Sequence, residues 1–151
     1  MTSVFDPNAF ASMTFSEANS TESVPVPAGE FLATVKKTEI KTWQKRDDPS
    51  VGGLKVEMTL ELEDPAIEAA TGRKVALLRH EFLLDLTPEG GLDFGKGMNV
   101  NLGRARAACN LNTPGAPFSF DMFTGRQVKA TVKHEVYQDK LQARCAGIAG
   151  A

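Results

Sequence analysis

Cysteine and histidine are scarce in this sequence of 151 residues, which contains two of each. Cys109 and Cys145 lie far apart and form no CxxC motif, so we expect neither a disulfide framework nor a thiolate metal site. His80 and His134 lie in strand patterns without acidic or cysteine neighbours at metal-site spacing. The sequence therefore predicts a protein without metal or other cofactor, in a reducing cytoplasm.

Long apolar runs are also missing. None approaches the roughly 20 residues that a membrane helix needs, and no signal-peptide pattern opens the chain. Apolar residues make up 42% of the sequence and charged residues 24%, as in an ordinary soluble globular protein. We expect a single folded domain in the cytoplasm, with no membrane partner.

Catalytic motifs are absent as well. The nearest is GGLDFGKG at 90–97, which differs from the phosphate-binding P-loop GxxxxGK[ST] because Gly97 stands at the hydroxyl position. The repeated strand–helix–strand units that surround a P-loop are lacking. Spacing alone identifies no acid–base pair and no activated nucleophile. The sequence therefore predicts a protein that is not an enzyme.

The clearest pattern present is the alternation of five apolar and five polar residues between positions 54 and 63. It is typical of a half-buried strand with a wet acidic face. Weaker patterns of the same kind predict three further strands, at 74–86, 128–137 and 141–148. Helical spacing predicts one helix at 99–110, and shorter helical turns are expected at 66–70 and 118–123.

The first strand is predicted at residues 30–46, and we expect the rest of the fold to be organised around it. Its apolar alternation ends at Val35, and resumes on the other parity at Thr38 after Lys36 and Lys37. A one-residue phase slip of this kind is typical of a β-bulge, which bends a strand. A long bent strand can serve both halves of a small barrel.

Charge is distributed unevenly, although the net charge is only -2. Residues 30–46 hold five cations and two carboxylates beside the only tryptophan, Trp43. Residues 47–72 hold seven carboxylates and one lysine, whereas residues 99–151 hold seven cations and three carboxylates. Cations beside an aromatic ring suit a flexible polyanion with flat bases. The alternative for the first strand is an ordinary edge strand with lysines on its wet face.

Residues 1–29 are predicted to form an irregular N-terminal arm, because Ser, Thr, Asn and Pro are frequent there. Phe5, Phe10, Met13 and Phe15 make it too apolar for a fully solvated tail. The arm either docks on its own domain or on a neighbouring subunit. The second alternative predicts a homo-oligomer, with a dimer favoured.

The expected order is strand, strand, strand, helix, strand, strand. We therefore predict a mainly β fold: a five-stranded OB-like Greek-key barrel over residues 30–151, with one helix between strands three and four. The flanking loops and the exposed strand face of such barrels often hold oligonucleotides.

Six segments resemble a family of small bacteriophage proteins. They are FDPNAF at 5–10, VPAGEFLATV at 26–35, the strand after Gly53, ATGRKV at 70–75, LDLTPEGGLDFGKG at 84–97, and GR at 125–126. Members of this family are proposed to bind single-stranded DNA in phage replication and recombination. The resemblance implies a DNA-binding role in the cytoplasm of a host cell, and it identifies no catalytic signature.

Fold order, charge and resemblance together predict a non-enzymatic, sequence-tolerant single-stranded DNA-binding protein. The alternative is a phage protein–protein interaction or assembly module without a nucleic-acid role. Three aromatic residues are candidates for base stacking: Trp43, Tyr137 and Phe82. Eight cations are candidates for phosphate contacts: Lys36, Lys37, Lys41, Lys45, Arg46, Arg126, Lys129 and Lys133. Trp43 could instead be packed under the loop that follows its strand.

Overall fold

The computed structural model describes residues 5–151. Its strands are β1 (Gly29–Gln44), β2 (Gly52–Glu63), β3 (Val75–Leu83), β4 (Gln127–Tyr137) and β5 (Lys140–Gly150). Its helices are α1 (Pro7–Ala11), α2 (Pro65–Thr71) and α3 (Val100–Ala108), with a short 3-10 helix at Phe120–Phe123. The five strands form one antiparallel sheet in the order β3-β2-β1-β4-β5. The predictions of a mainly β fold and five strands are confirmed.

The predicted bulge in the first strand is also confirmed. The register of β1 against β2 shifts between Val35 and Lys37, which leaves Lys36 as the extra residue. Before the shift β1 pairs with both β2 and β4, whereas after it β1 pairs with β2 alone. The bulge therefore lies where the long strand passes from one half of the sheet to the other.

The core lies on one face of the sheet. Every second side chain of the strands points to this face. The fully buried strand residues of the core are Val35, Val56, Met58, Leu60, Leu62, Val128 and Val132. Ile67 of α2, Leu102 and Ala105 of α3, and Phe123 of the 3-10 helix close the same core. The charged residues of the strands consequently lie on the outward face, which also carries exposed apolar residues such as Leu77 and Leu83.

Two parts of the fold prediction need correction. A closed barrel is not seen, because β3 and β5 are the two edges of the sheet and no ladder joins them within residues 5–151. The prediction of a single helix between strands three and four is also too simple. Helix α3 lies there, but a second helix, α2, lies between β2 and β3. The Asp64 side chain caps the start of α2 by accepting a hydrogen bond from the Ala66 N–H, and Gly72 ends the helix with a φ of +75°.

The segment before β1 is mostly irregular, and α1 is its only helix among the residues described. Residues 1–4 of the predicted arm lie outside the described part of the chain. Val26 is buried, and its carbonyl oxygen lies 2.6 Å from Nε2 of His134 on β4. This contact ties the end of the arm to the sheet, and the division into arm 1–29 and domain 30–151 stays a prediction.

Among the helices of residues 5–151, none is long and apolar enough to span a membrane.

Candidate nucleic-acid interface

The outward face of β1, β2 and β3 is organised around one carboxylate, Glu57. The Lys41 ammonium lies 2.6 Å from one of its oxygens and the Lys55 ammonium 3.1 Å from the other. The Arg79 guanidinium lies 3.9 Å from the Glu57 carboxylate. These cations cover Glu57, whose side chain is only 8% exposed. A buried carboxylate is thereby compensated by positive charge, as its desolvation requires.

Ion pairing fixes the ionisation state of this cluster. The hydrogen bond from Lys41, the largest influence, and that from Lys55 hold the pKa of Glu57 at about 2. The same hydrogen bond raises the pKa of Lys41 above its ordinary value. Both groups therefore remain charged at neutral pH, and a phosphate that approaches Lys41 must compete with Glu57.

The other two predicted phosphate contacts on the strand part of β1 are paired as well. The Lys36 ammonium lies 3.3 Å from Glu61, and the Lys37 ammonium lies 2.6 Å from Glu39. A cation that is already paired with a carboxylate must give up part of that interaction to contact a phosphate. It therefore gains less free energy from binding a polyanion than an unpaired cation does. The arrangement disfavours β1 as the main phosphate track, although it carries three of the predicted phosphate contacts.

Trp43 lies at the end of β1, directly opposite Gly53 of β2. A Cβ atom added to Gly53 would lie 3.3 Å from Nε1 of the indole, so the missing side chain makes room for the ring. Trp43 is half-buried, and its Nε1 has no hydrogen-bond partner among the residues described. The ring is thus partly packed, and it retains some surface for a stacked base.

Lys45 and Arg46 follow Trp43 in the loop between β1 and β2, where both are exposed. Within residues 5–151, neither has a carboxylate closer than 4.0 Å. Arg126 is exposed immediately before β4, and its Nε donates a hydrogen bond to the carbonyl of Met122. These three cations stay candidates for phosphate contacts.

The structure corrects the assignment of Phe82 as a stacking residue. Its side chain is buried in the core, and its ring centroid lies 5.6 Å from that of His80. The alternation along β3 directs both rings toward the interior of the fold. A base cannot stack on a ring that has no accessible face.

The outward face of β4 and β5 brings together the remaining predicted residues. Val128, Ala130 and Val132 point inward, so alternation places Lys129, Lys133 and Tyr137 outward. The register adds two cations of β5 that were not predicted: Arg144 opposite Lys133, and Lys140 opposite Tyr137. We call these five residues the basic face.

Like charges lie directly opposite each other on the basic face. Lys133 and Arg144 are register partners, an arrangement that destabilises an antiparallel pair. Glu135 lies 3.4 Å from Arg144, and Glu30 lies 4.0 Å from Lys129. In the part of the chain that the structure describes, no carboxylate lies within 4.0 Å of Lys133. The face thus carries four cations beside two exposed carboxylates, in contrast to the balanced face around Glu57.

Lys140 and Arg144 were not predicted, because the turn is one residue shorter than expected. The strands predicted at 128–137 and 141–148 leave residues 138–140 as the turn, which would place Cys145 opposite Lys133. In the structure Tyr137 pairs with Lys140, and Lys133 therefore pairs with Arg144. Gln138 and Asp139 have positive φ angles of 50° and 61°, as a two-residue turn of this hand requires. The turn therefore fixes the register that assembles the basic face.

Groups of three or more potential metal ligands are not found among residues 5–151. No protein-family model matches the sequence, and a comparison with curated proteins also finds no match.

Proposed function

We propose that this protein is a non-enzymatic, sequence-tolerant single-stranded DNA-binding protein of phage replication or recombination. The observation that carries the proposal is the like-charge pair of Lys133 and Arg144 on the basic face. A polyanion that lies across this pair would relieve the repulsion and release counterions. Phosphates are the same for every sequence, so binding through them tolerates sequence changes.

Tyr137 supports the same proposal. Its side chain is 59% exposed at the end of β4, opposite Lys140. An aromatic ring beside cations can stack a base while its neighbours contact phosphates. Residues four positions apart on a strand lie on the same face at a spacing of about 13 Å. Lys129, Lys133 and Tyr137 therefore form a row along β4, with Thr131 and Glu135 at the outward positions between them. A single strand can follow such a row as an extended track.

The strand order supports an OB-like classification, which we include in the proposal. An order of β3-β2-β1-β4-β5 is what results when the five-stranded OB barrel is opened between strands three and five. That fold is itself described as partly open. Fold alone does not assign function, so the charge pattern carries the argument.

Binding to a labelled oligo-dT is the direct test of this function. We expect fluorescence anisotropy to show binding at 50 mM salt and much weaker binding at 200 mM salt. Each neutralised phosphate should contribute about -0.7 to the slope of log affinity against log salt. A mixed-sequence strand of equal length should bind with similar affinity. Absence of binding at low salt, or an affinity independent of salt, would overturn the proposal.

A protein–protein interaction or assembly module is the second candidate function. The exposed apolar side chains of the arm favour it: the rings of Phe10 and Phe15 lie 5.7 Å apart, and both are mostly exposed, as is Met13. Contiguous exposed apolar surface usually marks an interface. The charge-balanced face around Glu57 is equally compatible with a protein partner.

The same apolar cluster leads us to propose that the arm holds a homo-oligomer, with a symmetric dimer as the commonest case. Deletion of residues 1–23 should then lower the mass measured by light scattering, because it removes the cluster. The deletion retains Val26 and its contact with His134, so the sheet should stay folded. A monomeric full-length protein, or an unchanged mass after deletion, would contradict the proposal.

A further inference from the structure

A surface groove lies between the loop after β3 and the loop after α3. Its volume is about 520 Å³, within the range of about 300–1,000 Å³ that small-molecule sites occupy. The residues that define it chemically are Leu92, Phe94, Arg106, Pro114 and Phe118. None of these belongs to the basic face, and none was predicted to contact DNA.

Phe94 forms one wall of the groove, and its side chain is 80% exposed. The loop that carries it is fixed by Asn99, whose side-chain oxygen accepts from the Asp85 N–H and whose amide nitrogen donates to the carbonyls of Asp85 and Asp93. The Gly95 N–H donates to the Asp93 carboxylate at 2.8 Å. A large apolar ring is therefore held in water by a structured loop, which is typical of a binding site.

The opposite wall is a tight turn. The Ala116 N–H donates to the Thr113 carbonyl at 3.2 Å, and Gly115 has a φ of +80°. Proline followed by glycine at the two central positions is the sequence of a type II turn, and the positive φ agrees with it. Both walls of the groove are thus conformationally restricted, which lowers the entropy lost when a ligand binds.

Arg106 supplies the charge inside the groove. Its guanidinium carbon lies 4.2 Å from the ring centroid of Phe118, and its Nε donates to the Leu111 carbonyl at 3.0 Å. The cation–π contact with the ring and the hydrogen bond at Nε together hold the guanidinium in place. Among residues 5–151, no carboxylate lies within 4.0 Å of this guanidinium. Its terminal N–H groups can therefore donate to an oxyanion in the groove.

We propose that this groove binds one unstacked nucleotide of a single strand, with the base against Phe94 and the phosphate at Arg106. An aromatic face beside a fixed cation is complementary to a flat base that is linked to an anion. Lys96, two residues after Phe94 on the same exposed loop, adds positive charge. The inference rests on the proposed function and adds a base site separate from the basic face.

The test compares variants of the full chain in binding to labelled oligo-dT at 50 mM salt. Phe94→Ala should weaken binding by about 5- to 150-fold, the usual effect of removing one base-stacking ring. Phe94→Tyr should retain binding, because it keeps an aromatic face. Leu77→Ala is the control, since Leu77 is also a large apolar residue that is 65% exposed, and it lies on β3, outside the groove, the basic face and the arm. Its affinity should equal that of the native protein.

The outcomes separate this inference from the proposed function. If the native protein binds oligo-dT and Phe94→Ala binds it with equal affinity, the nucleotide site in the groove is overturned and the proposed function stands. If the native protein does not bind, both proposals are overturned. A change in oligomeric mass without a change in DNA affinity would make the groove a protein-docking site and overturn the inference. If Phe94→Ala does not fold, Arg106→Lys is measured instead. This variant loses the guanidinium and its forked N–H donors, and unchanged affinity would overturn the proposal.

Discussion

Replacing Leu60 with alanine is expected to lower the free energy of unfolding by about 2–5 kcal/mol. Leu60 has no solvent exposure, and it lies in register between Val35 of β1 and Leu78 of β3. Its truncation leaves a cavity where three strands meet, and the packed side chains around it can relax only partly. Urea unfolding followed by circular dichroism measures the change.

Leu77 provides the matched control for this substitution. It is a leucine on the adjacent strand β3, but it points outward opposite Glu61 and is 65% exposed. Leu77→Ala should change the free energy of unfolding by no more than about 0.5 kcal/mol. Equal costs for the two alanine variants would contradict the inward and outward assignment of the whole sheet.

The sequence predicted the strands well because their periodicity is local. Residues 54–63 alternate strictly, and the structure places β2 at Gly52–Glu63 with the predicted apolar face buried. The bulge was visible in the same way, because an extra residue shifts the parity of every apolar position that follows it. Asp64 and Gly72 likewise carry their own capping chemistry, so the helical turns between them were expected.

The open sheet could not be predicted, because closure depends on contacts between strands that are distant in sequence. β3 and β5 are separated along the chain by α3 and β4, and nothing in either pattern reports whether they pair. The assignment of Phe82 as a stacking residue failed for a different reason. Both faces of β3 carry large apolar residues, since Leu77 and Leu83 point outward while Phe82 points inward.

Charge pairing explains why the structure favours the face of β4 and β5 over β1 as the candidate DNA-binding surface. Lys41 looks available in the sequence, and its partner Glu57 lies 16 positions away on another strand. Only the register between β1 and β2 shows that the two meet. The basic face shows the reverse case. Lys133 and Arg144 lie 11 positions apart in the sequence, and only the register of β4 against β5 makes them a like-charge pair.

Replacing Lys129, Lys133 and Arg144 together with alanine should weaken binding to oligo-dT by about a hundredfold or more at 50 mM salt. The three cations are exposed on the basic face, and each neutralised phosphate releases condensed counterions on binding. The fold should be retained, because exposed substitutions usually change stability by no more than about 0.5 kcal/mol each. Anisotropy measures the affinity, and circular dichroism checks the fold.

A triple variant with the same change in net charge is the matched control. Lys36, Lys37 and Lys74 are also exposed, and each lies within 4.0 Å of a carboxylate, of Glu61, Glu39 and Glu63 respectively. Their replacement with alanine alters the overall field as much as the first variant does. If position on the basic face matters, this control should lose far less affinity.

The slope of log affinity against log salt tests the central claim most directly, because it counts the phosphates that a surface neutralises. It is measured with oligo-dT for the native protein and both triple variants between 50 and 200 mM salt. We predict that the basic-face variant has a slope shallower by about 2, from three contacts at about 0.7 each, and that the control retains the native slope. Equal slopes in the native protein and the basic-face variant would show that strand binding does not use this face.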